Sequence, residues 1–265
     1  MDPSKIIETI SDKMVDVDGV RALFLSGSHG NGKADEFSDI DFLLISETGP
    51  TDEVANAWKE AIRNTGEIIL WWDLRTTRSL INVITEDWTR IDLNILKPEQ
   101  LKHFTQHSLK PVFDHDNGYE GLPEKPPKPS PSPTRFKYQV EEFIKIVGLL
   151  YLVDGRKEYL NGVLGVFHLR NILVELLIEE TAAPDRGGVL HLNRLITNEQ
   201  KELLKSLPAP VPERDAIIEA HLAYAAAFLP RARKRAAALG MEWPEAFETA
   251  TWKKLEQTLS IKKPY

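Results

Sequence analysis

The chain contains no cysteine among its 265 residues. Disulfide bonds, thiolate metal sites and thiol nucleophiles are therefore excluded, and a reducing, cytoplasmic location is favoured. The sequence also lacks any charge-free apolar run of about 20 residues, so we expect no transmembrane segment and no membrane partner. Its first residues show neither the basic nor the apolar region of a signal peptide.

Positive charge is also scarce. Lys and Arg number 33 against 40 Asp and Glu, which gives a formal net charge of −7. Proteins that bind nucleic acid neutralise its phosphates with clustered basic residues, so this balance argues against a template-directed polymerase and against a nucleic-acid partner. A small, cationic molecule fits better, because an acidic cleft attracts it.

Prolines divide the chain into two parts. Residues 121–134 hold six prolines, which predicts an extended linker that is neither helix nor central strand. Residues 1–120 alternate apolar, strand-like runs with amphipathic helices, and the close spacing of the runs over residues 67–96 favours a mixed sheet. Residues 135–265 show helical periodicity throughout. The sequence therefore predicts an α+β fold, with a mixed β-sheet domain followed by a C-terminal α-helical bundle.

One helical stretch, residues 157–180, is apolar nearly all round and is predicted to be the central helix of that bundle. It includes His168, Arg170 and Asn171. Since buried polar groups need partners, we expect these three either to pair internally, which is the favoured reading, or to face a cleft. A loop is predicted at Gly187-Gly188.

The chemistry of the N-terminal part centres on a glycine-serine turn and two neighbouring acids. Gly27 and Ser28 follow an apolar strand, and Asp39 and Asp41 open the next one. Residues i and i+2 of a strand point to the same face, so these carboxylates project together. Like charges placed side by side need a cation or a proton, and Mg²⁺ takes carboxylates together with substrate phosphates as ligands. The pattern predicts a nucleotide–metal site.

A third acid, Asp92, lies in another alternating apolar strand, with Ile91 and Leu93 on the opposite face. Three carboxylates that converge from adjacent strands hold two metal ions roughly 3.5–4 Å apart in phosphoryl-transfer sites. Each acid alone is compatible with an ordinary turn or cap. The three together favour a metal site.

The combined motif resembles the signature of the polymerase-β-like nucleotidyltransferase superfamily. The segment Ser38-Asp39-Ile40-Asp41-Phe42 is most similar to the antibiotic nucleotidyltransferases of that superfamily. The layout of a mixed domain, an extended joint and a helical bundle also resembles lincosamide and some aminoglycoside nucleotidyltransferases. Only the N-terminal motif is specific, so no residue of the helical part is assigned a catalytic role.

This resemblance implies a reaction and a set of roles. Gly27, Ser28 and Ser38 would hold the nucleoside triphosphate, ATP or another NTP. Asp39, Asp41 and Asp92 would be the catalytic residues and the ligands of two Mg²⁺ ions. Asp92 would also draw the proton from the attacking hydroxyl. The expected activity moves a nucleoside monophosphate, AMP from ATP above all, to a hydroxyl of a small molecule, an aminoglycoside or lincosamide antibiotic being one candidate class.

Two other functions stay open at this stage. One is a catalytically silent, antitoxin-like binding protein of the same fold, although intact acids at all three positions and a full helical domain argue against it. The other is modification of a protein hydroxyl. The sequence names neither the acceptor nor the nucleotide, and it leaves the oligomeric state undetermined.

A competing motif overlaps the glycine turn. Gly27 to Lys33 fits G-x-x-x-x-G-K, the start of a phosphate-binding P-loop. The next residue is Ala34 where that motif needs Ser or Thr, and too few residues follow for a helix before the next strand. We therefore interpret the match as accidental.

For the other aromatic and acidic residues near the predicted strands, the sequence favours a structural role over a binding role. Trp71, Trp72 and Trp88 are able to stack on a base or a substrate ring, but packing in the core or on the sheet is the commoner role of such residues. Asp73 is either a fourth acid near the cleft or, as we favour, a turn residue.

Overall fold

The fold is that of a computed structural model, which describes residues 2–126, 132–182 and 191–265, with the side chains of Thr77 and Arg78 left out. The chain divides into two compact units, Met1–Pro127 and Lys128–Tyr265. This division falls inside the predicted linker, residues 121–134, whose own limits stay a prediction. Gly187-Gly188 and residues 127–131 lie outside the described residues.

The N-terminal unit contains six strands and four short or medium helices among its described residues. Their bounds are α1 Pro3–Met14, β1 Val20–Leu25, α2 Gly27–Gly30, β2 Ile40–Ser46, α3 Asp52–Arg63, β3 Ile68–Asp73, α4 Arg75–Arg78, β4 Leu80–Thr85, β5 Arg90–Leu96 and β6 Lys110–Asp114. Two 3₁₀ helices, Pro98–His103 and Gln106–Ser108, precede β6. Each predicted strand is present within one or two residues of its expected limits.

The six strands form one mixed sheet in the order β3-β4-β5-β2-β1-β6. The β2–β5 pair is parallel and the other pairs are antiparallel. Pro111 lies in β6 at an edge of the sheet, as predicted. Proline has no N–H group to donate to a neighbouring strand, and an edge strand tolerates this because one of its sides has no neighbour. The parallel pair is central to function because it brings the starts of β2 and β5 together.

The two faces of this sheet have different surroundings. On one face, buried side chains such as Phe42 and Ile91 pack against α1 and α3, with the Trp58 ring edge-on to Phe42 at 5.1 Å between centroids. On the other face, a smaller cluster including Phe24 and Leu43 packs against the 3₁₀ segment around Leu101. Alternation along β2 therefore places Asp41 on the second face, together with Leu43.

The described part of the C-terminal unit is helical. Its helices are α5 Pro133–Gly148, α6 Leu150–Arg156, α7 Tyr159–Thr181, α8 Leu192–Leu195, α9 Asn198–Ser206, α10 Arg214–Ala238 and α11 Glu245–Leu259. One apolar core joins them, centred on α5, α7 and α10. A mixed sheet followed by a helical bundle confirms the predicted α+β class.

The expectation that the predicted linker contains no helix fails at its last two residues. Pro133 and Thr134 are helical, because Ser132 caps α5 through a bond from the Arg135 N–H to its hydroxyl oxygen. Proline is tolerated at the first helical position, where its missing N–H would have no partner anyway. The expectation that no residue up to 134 is helical is therefore wrong.

The predicted central helix of the bundle is present as α7, whose residues between Val166 and Ile178 contribute to the apolar core, but one side of this helix is exposed. His168 and Asn171 are exposed, and so are Leu160 and Phe167. Arg170 alone of the three polar residues is partly buried, and it pairs internally, donating to the Leu204 carbonyl and the Tyr224 hydroxyl. By length and mean hydropathy α7 is the one described helix able to cross a membrane, but a core helix of a bundle meets the same test.

Candidate active site

The parallel pairing of β2 with β5 places two of the predicted acids side by side. Asp41 is the register partner of Asp92, and Asp39 immediately precedes β2. One carboxylate oxygen from each of these three residues lies within 4.8 Å of the others. The structure therefore brings together residues that are 51 positions apart in the chain, through main-chain pairing of strands that are not consecutive.

Burial and mutual repulsion raise the proton affinity of this cluster. Burial is the main reason that the pKa of Asp41 rises from 3.8 to about 6, and the charges of Asp39 and Asp92 add to the rise. Burial also raises the pKa of Asp92, partly offset by a hydrogen bond from Asn82. Arg90 opposes both shifts, and its guanidinium lies 3.5 Å from the Asp39 carboxylate. One cation is thus shared among three carboxylates.

The glycine turn follows β1 directly and touches Asp41. The Ser26 N–H donates to the Asp41 carbonyl oxygen at 2.8 Å, which ties the end of β1 to the start of β2. Gly27 then adopts φ +55, a left-handed conformation that favours glycine. A Cβ atom at this position would lie 2.0 Å from Oδ2 of Asp41. Glycine is therefore required here by both backbone conformation and close approach.

Ser28 contributes a polar atom that has no partner among the described residues. Its Oγ is buried and makes no hydrogen bond to any of them. Buried hydroxyl groups are normally bonded, so an unsatisfied one beside the acidic cluster is a candidate contact for a ligand. A phosphate oxygen is a suitable acceptor for this hydroxyl.

The donor set fits a divalent cation. Three convergent carboxylates supply only hard oxygen ligands, the type preferred by Mg²⁺, Ca²⁺ and Mn²⁺. The charges of Asp39 and Asp92 add to the effect of burial in raising the pKa of Asp41, and a bound cation would relieve this repulsion. Among the described residues, no other group of three or more acids or histidines meets the same geometric test.

Ser38 and Lys33, the other polar residues of this loop, take different positions. The Ser38 hydroxyl bonds to Asp35, accepting from its N–H at 3.0 Å and lying 3.1 Å from its carboxylate. A nucleotide-binding role for Ser38 stays a prediction. Lys33 is exposed and follows α2, which ends at Gly30, and no helix follows before β2. This geometry agrees with an accidental P-loop match.

Two side chains lie near the acidic cluster although no sequence motif predicted their presence there. Asn82 on β4 is the register partner of Asp92 and hydrogen-bonds to its carboxylate. Arg90 on β5 pairs with Asp39 and donates to the Phe37 carbonyl at 3.1 Å. Neither residue belongs to a recognisable motif. Their proximity follows from strand register, which residue patterns leave undetermined.

The structure separates the three tryptophans of this region. Trp71 packs partly buried against the core, and the Lys59 ammonium lies 4.9 Å from its ring. Trp72 is 58% exposed on β3, and Trp88 is 71% exposed in the β4–β5 turn. Asp73 accepts three hydrogen bonds from the Arg75 side chain, which agrees with the favoured turn role.

Comparisons with known proteins place this site in a family. The family model of streptomycin adenylyltransferase matches residues 2–160. A solved aminoglycoside 6-adenyltransferase from Bacillus subtilis is 15% identical, with 94% of this chain and 95% of that chain covered and a TM-score of 0.44. A nucleotidyltransferase-like protein from Exiguobacterium sibiricum is 13% identical, with coverages of 97% and 88% and a TM-score of 0.39. A comparison with curated proteins gave no match.

The two structural likenesses are distant and support no conclusion about substrate. The family match does not depend on them, because it spans more than half of the chain and includes every residue of the acidic cluster and the glycine turn. It also agrees with the predicted superfamily and the observed mixed sheet. The chain belongs to the streptomycin adenylyltransferase family, and it is an adenylyltransferase-type enzyme.

Proposed function

We propose that this protein is an Mg²⁺-dependent enzyme that transfers AMP from ATP to a hydroxyl group of an aminoglycoside or lincosamide antibiotic. The observation that carries the proposal is the convergence of Asp39, Asp41 and Asp92 within 4.8 Å beside the Gly27 turn. Family membership supplies the reaction class. The identities of the metal, the nucleotide and the acceptor are what we propose.

The glycine turn is suited to hold the triphosphate. The missing side chain at Gly27 lets the backbone of the turn lie close against Asp41, and the Ser28 hydroxyl is available to donate to a phosphate oxygen. Hydrogen bonds to charged acceptors are worth about 1.5–3 kcal/mol. This turn would orient the chain of phosphates so that the pyrophosphate leaves along it.

Asp39, Asp41 and Asp92 would hold the divalent cations. When bound, these ions neutralise phosphoryl oxygens and make the attacking hydroxyl more acidic. The chain itself supplies the base. The Asp92 carboxylate would accept the proton of the acceptor hydroxyl, since a hydroxyl made more acidic by a cation can lose its proton to a carboxylate base.

In the reaction, the acceptor oxygen bonds to the α-phosphorus of ATP while the bond between that phosphorus and the bridging oxygen of pyrophosphate breaks. The hydroxyl proton passes to Asp92. The products are an adenylylated acceptor and pyrophosphate. Transfer of a whole nucleotide needs no covalent intermediate on the protein in this scheme.

Two alternatives differ in outcome. A silent binding protein of the same fold would bind a partner without turnover, and the intact acids of the cluster disfavour it. A protein-modifying enzyme would release pyrophosphate only with a protein acceptor. Both predict no turnover with antibiotics.

Pyrophosphate release tests the proposal. The purified protein is incubated with Mg²⁺ and ATP, GTP, CTP or UTP against streptomycin, kanamycin and lincomycin, with Asp41→Asn as the inactive control. Release that requires both ATP and an antibiotic, and that chelation by EDTA abolishes, supports the proposal. Absence of release with every pair, while ATP still binds, would favour one of the alternatives.

A further inference from the structure

The sheet continues past Asp92 into β4 and β3, and its register places two more side chains in line with the carboxylates. Asp92 lies opposite Asn82, and Asn82 lies opposite Trp72. Residues directly opposite one another in a sheet point to the same face. Trp72, Asn82, Asp92 and Asp41 therefore form one row across four neighbouring strands.

Trp72 presents an unusual surface for so large an apolar residue. It is 58% exposed, whereas its neighbour Trp71 points to the other face and packs against the core. Beside the row, Leu70 and Ile84 are half-buried register partners on the same face. The exposed indole of Trp72, bordered by Leu70 and Ile84, forms a flat apolar platform in line with the acidic cluster.

Asn82 links this platform to the proposed base. Its side chain hydrogen-bonds to the Asp92 carboxylate, and a carboxylate can only accept, so the amide NH₂ of Asn82 is the donor. The amide oxygen is then left to accept a hydrogen bond from a ligand hydroxyl or ammonium. Asn82 is thus both a positioning residue for Asp92 and a polar contact beside Trp72.

The order of strands in the sheet indicates which of the two substrates lies against the Trp72 platform. The Gly27–Ser28 turn follows β1 on one side of the cluster, and Asn82 and Trp72 lie on β4 and β3 on the other side. In the proposed reaction the phosphates occupy the turn, and the acceptor hydroxyl must reach Asp92. The acceptor therefore extends over β4 and β3.

We infer that Trp72 and Asn82 form the subsite that binds the acceptor, an inference that rests on the proposed function. This subsite takes a hydroxylated molecule with at least two linked saturated rings, such as an oligosaccharide or a glycosylated aminocyclitol. Strands lie about 4.8 Å apart, so Trp72 stands about 10 Å from Asp92. A single six-membered ring is shorter than this distance. The C–H face of a distal ring would pack on the indole, and an ammonium group on it would gain from the ring electrons.

Kinetics of substitution variants test the inference. Trp72→Ala should raise the KM for the antibiotic about 5- to 100-fold, the range for loss of an aromatic stacking platform, and leave the KM for ATP within about twofold. Trp72→Phe should restore most of the affinity. Trp72→Gln repeats the test with a polar side chain suited to an exposed edge strand.

Trp88→Gly is the matched control. It also removes an exposed indole, and glycine suits the φ of +62 at that position. We expect the KM values of this variant to stay within about twofold of wild type. Asn82→Ala should instead lower kcat, because Asp92 loses its orienting partner, while the KM for ATP is unchanged.

Acceptor length gives an independent readout. With streptomycin and its single-ring fragment streptidine as probes, Trp72→Ala should lower kcat/KM for streptomycin and change that for streptidine little. If streptomycin is not turned over, the same comparison uses kanamycin and its single-ring fragment 2-deoxystreptamine.

The possible failures are distinguishable. If wild type is active but Trp72→Ala and Trp72→Gln leave the acceptor KM within twofold, or if ATP or the Trp88→Gly control is affected equally, only the subsite is refuted. If wild type releases no pyrophosphate with any acceptor, the proposed function fails first and the subsite fails with it.

Discussion

Asp41 in the N-terminal unit and Glu248 in the C-terminal unit are both carboxylates withdrawn from water, and their surroundings are opposite. Asp41 is beside two other acids, which together with burial raise its pKa to about 6. Glu248, 2% exposed, accepts hydrogen bonds from Arg233, Trp243, Tyr265 and Lys263. Burial alone would raise its pKa, but the bonds from Lys263, Tyr265 and Trp243 outweigh it and lower the pKa to about 2.

The difference separates a carboxylate that is satisfied within the chain from one that has too few partners there. Glu248 has its partners within the chain, so it connects α11 to α10 and to the last residues, and it needs nothing from outside. The Asp41 cluster has a deficit of positive charge that a ligand is able to supply. Strongly perturbed acids in such a deficit indicate sites of binding or catalysis.

Removal of charge from the acidic cluster gives the largest expected effect. Asp41→Asn should abolish turnover, because one metal ligand is lost. Without divalent cations the melting temperature should hold or rise, since repulsion with Asp39 and Asp92 is relieved. Pyrophosphate release and thermal unfolding in EDTA measure the two effects. Activity within tenfold of wild type would refute the metal assignment.

Asp92→Asn separates the base from the metal ligands. The turnover number should fall by about 10²–10⁴, the range for loss of a general base, and by more if metal binding also weakens. Binding of ATP with Mg²⁺ should persist, because Asp39, Asp41 and the Gly27 turn are intact. Calorimetry on the variant tests this directly. Parallel loss of ATP binding and activity would make Asp92 chiefly a metal ligand.

Glu248→Gln probes the satisfied carboxylate. The change removes the charge that accepts bonds from Arg233 and Lys263, but both cations are partly exposed and Arg233 keeps its pair with Glu245, so we expect a loss of about 1–3 kcal/mol of unfolding free energy. Denaturant unfolding measures this loss. Glu242→Gln, an exposed residue of the same connection, is the control and should stay within about 0.5 kcal/mol of wild type. Equal effects of the two changes would contradict the assigned role of Glu248.

Ser28→Ala and Lys33→Ala rank two candidate phosphate contacts. Ser28→Ala should weaken catalysis by about 1.5–3 kcal/mol, because its unpartnered hydroxyl is the proposed donor to a charged oxygen. Lys33→Ala should change kcat/KM only a few-fold, since Lys33 is exposed and not presented by a helix. Steady-state kinetics with varied ATP decide the ranking. The reverse order would favour the P-loop interpretation.

The smallest effect is a difference in pH dependence. The folded pKa of Asp41, about 6, exceeds its ordinary 3.8, so the folded state binds more protons between these values and stability should fall as pH rises from about 4 to 6. For Glu248 the folded pKa, about 2, lies below 4.5, so its contribution is lost as pH falls from about 4.5 to 2. Unfolding in EDTA at graded pH checks both trends. Asp41→Asn should reduce the first slope, and an unchanged slope would contradict its origin.

The sequence predicted much of the fold, because local patterns carry it. The apolar runs at residues 20–26 and 39–45 and the alternation around Asp92 correspond to β1, β2 and β5. Alternation predicted that Asp39 and Asp41 share a face, and the combined motif of three acids led us to expect Asp92 beside them. The proline-rich segment predicted a boundary between two units, although its last two residues are helical.

Other features were beyond sequence patterns, for identifiable reasons. The apolar composition of α7 predicted a central bundle helix with His168, Arg170 and Asn171 paired or facing a cleft, but only packing decides which side of a helix meets neighbours, and His168 and Asn171 are exposed. Nothing around Glu248 marks it as buried, because its donors come from positions 233, 243, 263 and 265. Trp71 and Trp72 are adjacent and so lie on opposite faces of β3, but only packing decides that the face of Trp71 is covered and that of Trp72 is open.

The sequence by itself thus determined the element types, the two-part organisation and the acids of the candidate site, since these depend on residues near one another in the chain. Only the tertiary structure decided which side chains surround those acids. Strand register placed Asn82 and Trp72 in line with Asp92, and the pairing of β1 with β2 placed Gly27 against Asp41. The physical reason is that pairing between distant strands is set by the packing of the whole sheet, and no local pattern encodes it.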